Sequence, residues 1–161
     1  MRRSTDQTCR TKGDTVQIKG VDSTNRITEA KLLDGATLIV KEKIMTHGEQ
    51  NAETNFSVEL DGVDSSANII SRSVAKDKSV QTFYAKMNGN NKCHGHSECD
   101  AIIMDNACVK AIPEITANSV DASLIHEAAI GKIAGEQLIK LMTLGLTEQE
   151  AEEQIVNGFL K

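Results

Sequence analysis

"TNFSVELDGVDSSANIISRSVA", residues 54–75, decides the fold. Phe56, Val58 and Leu60 alternate with Asn55, Ser57 and Glu59, and a second run with β-branched character begins at Ala67. An apolar period of two belongs to a strand with one buried face. Between the runs stands Asp61–Gly62, and Asp and Gly tolerate the tight, left-handed bends of a corner. The stretch reads as strand, corner, strand.

The same grammar extends both ways. "TVQIKG", "ATLIVKEKI", "SVQTFYAKM", "CDAIIMDN", "ACVKAIPEI" and "SVDASLI" are further short β-branched segments, so at least seven strands precede any helix. The corners "LDGATL", "MDNACV" and "ANSVDASL" again place Asp or Asn beside small residues, at irregular spacing. This pattern predicts a parallel β-helix or stacked-sheet solenoid with imperfect rungs. An antiparallel sandwich is its competitor, because short alternating strands serve both.

Composition favours the solenoid. The chain has 161 residues, which suits one domain burying roughly two thirds of its unfolded surface. Its aromatics are three Phe and one Tyr, with no Trp, so the core must be aliphatic, as thin stacked layers allow. The net charge of −5 offers nucleic acid or anionic lipid no broad attraction. Arg2, Arg3, Arg10 and Lys12 make the only basic bias, expected as a frayed terminus over residues 1–14. Neither a secretory apolar stretch nor an 18-residue apolar run is present, so no membrane role is expected and the location expected is cytoplasmic. Cys9, Cys93, Cys99 and Cys108 are then expected as thiols.

Past Ser123 the period moves toward 3.6. In "IHEAAIGKIAGEQLIKLMTLG" the apolar positions Ile130, Ile133, Ala134, Leu138, Leu141 and Met142 share a helix face, and Gly145 supplies a stop. Thr147 and Glu150 then form a capping-box pattern, before a stripe of Ala151, Ile155, Val156 and Phe159. These features divide the chain into a β-helix core over 15–125 and a C-terminal helical hairpin over 126–161. The hairpin either seals the solenoid or docks a partner.

"NKCHGHSECDAIIM", residues 91–104, concentrates Cys93, His94, His96 and Cys99, ligand types for zinc, iron or an iron–sulfur cluster. In an extended segment His94, His96 and Asp100 share one face, and the two cysteines share the other, about 20 Å apart at roughly 3.3 Å per residue. A single metal held by all four therefore requires a curled loop. The alternative divides the segment near Ser97, with a corner through "NGNNKCHG" and a strand from "ECDAIIM" in which Cys99 is either a buried small hydrophobe or a site residue. His126 and Glu127, in "LIHEAAIG", stand where the strand is expected to give way to helix.

Taken in order, "GHSECDAIIM", "IPEI", "IHEAAIGKI", "EQLIKLMTLGLTEQEA" and "IVNGFL" resemble the C-terminal part of the SufB/SufD family of iron–sulfur cluster assembly proteins. The resemblance covers about Phe83 to Phe159. It implies a right-handed parallel β-helix with a C-terminal helical domain, and a scaffold working with the ATPase SufC. Cys99 falls where SufB-type chains carry a cysteine implicated in cluster assembly, His126 matches the histidine of the "HEA" segment, and Glu127 its acidic neighbour. His96 matches a histidine three positions before the cysteine. The implied cofactor is a transient iron–sulfur cluster bound by Cys99, His126 and Glu127, with His96 as a weaker companion. The implied ATPase-docking surface is the hairpin, through Gln137, Leu138, Leu141, Ile155 and Phe159.

Thiolate with imidazole or carboxylate makes chemical sense for a scaffold that must release its product. One chain has too few thiols near Cys99 for four-thiolate ligation, which motivates a site shared across a homodimer or a SufB/SufD-type heterodimer. No "GxxxxGK[ST]" motif is present, so nucleotide hydrolysis is expected only in a partner. Two other readings compete: a thiol enzyme with Cys99 as nucleophile and His126 as base, and an interaction solenoid without cluster activity.

Overall fold

A computed structural model of the chain describes residues 3–9, 15–19 and 25–161, with side chains from residue 28 onward. Its ten strands are β1 (Arg3–Cys9), β2 (Thr15–Lys19), β3 (Asn25–Leu32), β4 (Thr37–Thr46), β5 (Asn51–Leu60), β6 (Ser65–Ala75), β7 (Val80–Gly89), β8 (Cys93–Ile103), β9 (Cys108–Ala117) and β10 (Ala122–Gly131). Two helices follow, α1 (Gly135–Thr143) and α2 (Glu148–Phe159). Odd strands form one five-stranded sheet in the order β1-β3-β5-β7-β9, and even strands form the other, β10-β8-β6-β4-β2. Every pairing is parallel. Each rung is thus one strand of each sheet, and the molecule is a parallel β-solenoid with a C-terminal helical hairpin, not an antiparallel sandwich.

The rungs are more regular than the corner spacing implies. From β3 onward, paired residues are 28 or 29 apart, as in Ser65 opposite Cys93 and Thr37 opposite Ser66. A one-residue difference carried along a continuous strand would turn every side chain over. The corners absorb it, so the inward set stays inward while a strict period vanishes from the sequence.

Inward side chains stack in columns. Thr28, Phe56, Ala85 and Pro113 make one, and Leu38, Ala67, Gly95 and Leu124 another. Large residues sit over small ones, which fills narrow layers without many aromatics. Phe56 and Phe83 pack tilted, ring centres 5.8 Å apart. Gly95 is compelled by this packing: an added Cβ would lie 2.1 Å from Met87 Sδ and 2.6 Å from Leu124 Cδ2. Pro113, which lacks a backbone donor, is placed on the sheet-edge strand β9.

Corners stack too. Asp61 and Gly62 both donate backbone N–H to Leu32 O (3.0 and 2.9 Å), and Val63 N donates to Asp34 Oδ1 at 2.8 Å. Asp64, Asp77 and Asp105 take positive φ, as the Asp-rich corners predict. Outside them runs a polar ladder in which Lys31 pairs with Asp61 (2.6 Å), Asn90 donates to Asp61 (2.5 Å) and Asn118 donates to Asn90 (2.7 Å).

Three boundaries expected from sequence move. Residues 3–9 form β1 rather than part of a frayed segment, while residues 1, 2 and 10–14 lie outside the described residues. The corner before β8 ends at Lys92, so "CHG" is strand, because Cys93 and Gly95 fill inward positions that a loop would leave empty. The change from strand to helix comes after Gly131 rather than at residue 126, since β10 gains a full ladder on β8 through Gly131. The helix stop and cap appear as expected: Gly145 has φ +95°, and Thr147 with Glu150 closes a capping box. Helix α2 anchors to the solenoid through Val156 and Phe159, packed with Val74, Ile102 and Met104. Lys43 Nζ also donates to the backbone oxygen of Lys161. Among the described residues no helix is long and apolar enough to cross a membrane.

Candidate functional site

Strand alternation in β8 divides the cysteine and histidine segment between two sides of one sheet. Cys93, Gly95, Ser97 and Cys99 point inward, while His94, His96, Glu98 and Asp100 point outward. The four-ligand clasp is therefore not formed, and among the described residues no three His, Cys, Asp or Glu side chains converge to hold a metal ion. Cys93 fills a tight corner of the core, where a Cβ on Gly89 would come within 3.1 Å of its Sγ. His94 is exposed.

The predicted site residues divide the same way. His126 lies opposite Ser97 and Cys99 lies opposite Ala128, so Cys99 and His126 occupy neighbouring inward columns on adjacent strands. Glu127 points outward, where its Oε2 lies 3.5 Å from His96 Nε2. His96 Nδ1 is 3.2 Å from Asn68 Oδ1. The expected grouping of Cys99, His126 and Glu127 is corrected to two pairs on opposite sides of a sheet, because consecutive residues of a strand cannot share a face.

Cys99 is 1% exposed. Burial first, then the charges of Glu42 and Asp100, push its thiol up to about 12. That is the reverse of an activated nucleophile, and Glu127 is turned away from His126, so it does not orient that imidazole. Burial also holds the His126 imidazole below its ordinary range, with His96 adding to the effect and the Ser97 main chain partly opposing it. On the outside, the Glu98 carboxyl is raised by its hydrogen bond with Asp100, by burial and by the Asp100 charge.

Sequence reasoning passed over Glu42, one of the few buried charged-type side chains. It is 1% exposed and accepts hydrogen bonds from Thr54 Oγ1 (2.9 Å) and Ser71 Oγ (2.8 Å). Glu42, Ser71 and Cys99 form one inward column, beside a cavity of about 10 Å³ that Thr54, Gln81 and Phe83 also line. The alternation in "ATLIVKEKI" already placed Glu42 on the apolar face, and that was the available signal.

Two consequences are measurable. With Cys9 replaced by serine, exposed Cys108 is expected to alkylate quickly, and Cys93 and Cys99 only on unfolding. A folded-state thiol pKa raised from 9.0 to about 12 contributes stability that is fully present below pH 9 and is lost as pH rises toward 12. The denaturation midpoint should therefore fall more steeply over pH 9–12 in wild type than in Cys99→Ala; parallel profiles would refute the assignment.

The site thus lies in a two-stranded-rung parallel solenoid with a C-terminal helical hairpin and an inward Cys–His pair. The model of the SufBD core domain of the SUF iron–sulfur cluster assembly system matches residues 4–159, and the chain belongs to that family. An iron–sulfur cluster assembly SufBD family protein of Methanothermobacter thermautotrophicus is 40% identical over 103 residues, covering 63% of this chain and 25% of the relative. One from Pyrococcus horikoshii is 33% identical over 132 residues, covering 81% and 40%, respectively. The iron–sulfur cluster assembly protein SufB of Bacillus subtilis is 36% identical over 102 residues, 61% of this chain and 22% of that protein. The chain thus spans between about a fifth and two fifths of the length of these relatives.

Proposed function

We propose that the chain is a non-catalytic scaffold for iron–sulfur cluster assembly, with Cys99 as the cluster thiolate, His126 as its nearest partner and a SufC-type ATPase as the source of nucleotide hydrolysis. The observation that carries this is the placement of Cys99 and His126 in neighbouring columns of the last two even strands, beside the free edge of β10. Membership of an iron–sulfur assembly family supports the cargo.

The cluster is cargo, and one chain presents it with an incomplete shell. A second protomer meeting the β10 edge completes the ligand set, as a homodimer or a SufB/SufD-type heterodimer. Exposed Ile115 and Ile130, on the inward faces of β9 and β10, are apolar surface such a contact would cover. Binding iron requires the Cys99 thiol to lose its proton, so loading is coupled to opening of the buried position. His96 and Glu127 sit across the sheet, suited to weak iron contact at the outer surface rather than to the same shell. The ATPase docks on the hairpin, and the work proceeds in the cytosol.

Anaerobic reconstitution with ferrous iron and sulfide, read by optical spectra and by iron and sulfide content, tests the reading. Cys99→Ala should lower cluster content about tenfold or more, as loss of a ligand does, while Cys93→Ala and Cys108→Ala should not. Unchanged content in Cys99→Ala would sink it.

A further inference from the structure

The interior beneath Cys99 is polar, and most of its hydrogens are already committed. Glu42, Ser71 and Cys99 stack on β4, β6 and β8, so Glu42 lies on the side of Cys99 away from β10. Thr54 Oγ1 and Ser71 Oγ each donate to one carboxylate oxygen of Glu42, at 2.9 and 2.8 Å. The Gln81 amide nitrogen donates to Thr46 Oγ1 at 2.8 Å and to Val74 O at 2.9 Å, which uses both of its hydrogens. Thr54, Ser71 and Gln81 can therefore offer a guest only lone pairs.

These three residues line one cavity with Glu42 and Cys99, about 10 Å³ in volume, which is room for one water-sized occupant. A wall of acceptors favours a cation over an anion. A thiol beside a carboxylate favours a first-row divalent metal over an alkali ion. Charge balance agrees, because a buried ion is costly unless compensated, and a divalent ion with one carboxylate and one thiolate sums to zero. Among the described residues no third His, Cys, Asp or Glu joins them, so neutral oxygens of the cavity wall complete the shell.

We propose that Glu42 is the internal partner of Cys99 in capturing one ferrous ion within a single chain, before sulfide or a second protomer takes part. Capture forms one iron–sulfur bond and breaks one S–H bond; the proton leaves to solvent and no electron is transferred. The proposal rests on the scaffold reading for the role of Cys99, and it adds Glu42 as a ligand supplied from inside the solenoid.

The test titrates the full chain anaerobically with cobalt(II), a spectroscopic stand-in for ferrous iron, with no sulfide present. Wild type should bind one ion per chain with a sulfur-to-cobalt absorption band, release one proton, and show an affinity independent of chain concentration. The band should vanish in Cys99→Ala. Glu42→Gln, which keeps the side chain's size, should weaken binding about tenfold or more, as loss of a carboxylate at a metal site does, and by more than His126→Asn does. No band in wild type would mean that solvent alone occupies the cavity, and an affinity rising with chain concentration would mean that a second protomer supplies the ligand. A band that survives Cys99→Ala would put the metal on another thiol. Unchanged affinity in Glu42→Gln, or a larger loss in His126→Asn, would put it on the β10 side; each of these results overturns the proposal. The first two come from wild type, so the proposal stays exposed even where Glu42→Gln fails to fold. The scaffold reading fails on a different result, cluster content indifferent to Cys99 on reconstitution with sulfide.

Discussion

Gly62→Ala should lower the stability of the chain by about 3 kcal/mol or more, the upper end of what overpacking costs, and its melting temperature by roughly 6–12 °C at this size. An alanine Cβ would lie 2.0 Å from both Asp34 N and Leu33 C, and 2.4 Å from Leu33 O. These are backbone atoms of the preceding corner, so no rotamer change relieves the clash. The rung must lift, at the cost of the Asp61 and Gly62 hydrogen bonds to Leu32 O. Gly158→Ala is the control: nothing lies within 4 Å of its added Cβ in α2, and removing a helical glycine should stabilise by about 0.5–1 kcal/mol. Thermal unfolding of the two variants checks both signs, and a neutral Gly62→Ala would mean that corner stacking is looser than described.

The second large effect is expected at the hairpin. Ile139, Met142 and Leu144 are exposed at 61%, 43% and 80%, and together they present an apolar face at and beyond the end of α1. If the proposed docking of a SufC-type ATPase on the hairpin holds, the paired substitution Ile139→Asp with Leu144→Asp should weaken its capture about thirtyfold or more, the loss of roughly 2 kcal/mol typical of an interface anchor, with melting temperature unchanged. Calorimetric titration of the ATPase into wild type and variant measures it. Equal binding would remove this face from the docking surface.

The contrast with Phe159 shows what helical periodicity leaves open. Gln137, Leu138, Leu141, Ile155 and Phe159 were the docking residues implied by resemblance, and Phe159 instead packs with Val156 against Val74 and Met104. Leu138 and Leu141 are only partly exposed, and Gln137 is exposed. Phe159→Asp would detach the helix from the solenoid and so report on anchoring, not on docking. A helical stripe shows which residues share a face, but its period is the same whether that face meets the chain's own core or another protein.

Similar reasoning separates the readable part of the site from the rest. Alternation in "CHGHSECD" was enough to put Cys93 and Cys99 on one side and His94, His96 and Asp100 on the other, as found. The same argument, applied to His126 and Glu127, required knowing that they lie in a strand, and "IHEAAIG" carries alanines and a spacing that serve a helix equally. Its strand state comes from ten paired positions along β8, a non-local contact. Glu42, fully buried between Thr54 and Ser71, was visible only as an odd polar residue on an apolar face.

By itself, the amino-acid sequence determined the short alternating strands, the Asp- and Gly-bearing corners, the aliphatic core, the helical hairpin and its cap, because each depends on residues within a few positions of one another. Tertiary structure alone decided the 28- or 29-residue rung, the division of the predicted ligands between the inside and outside of one sheet, and the meeting of Ser97 with His126. Those depend on register between strands nearly thirty residues apart, and register is set by stacking side chains into columns rather than by any local pattern.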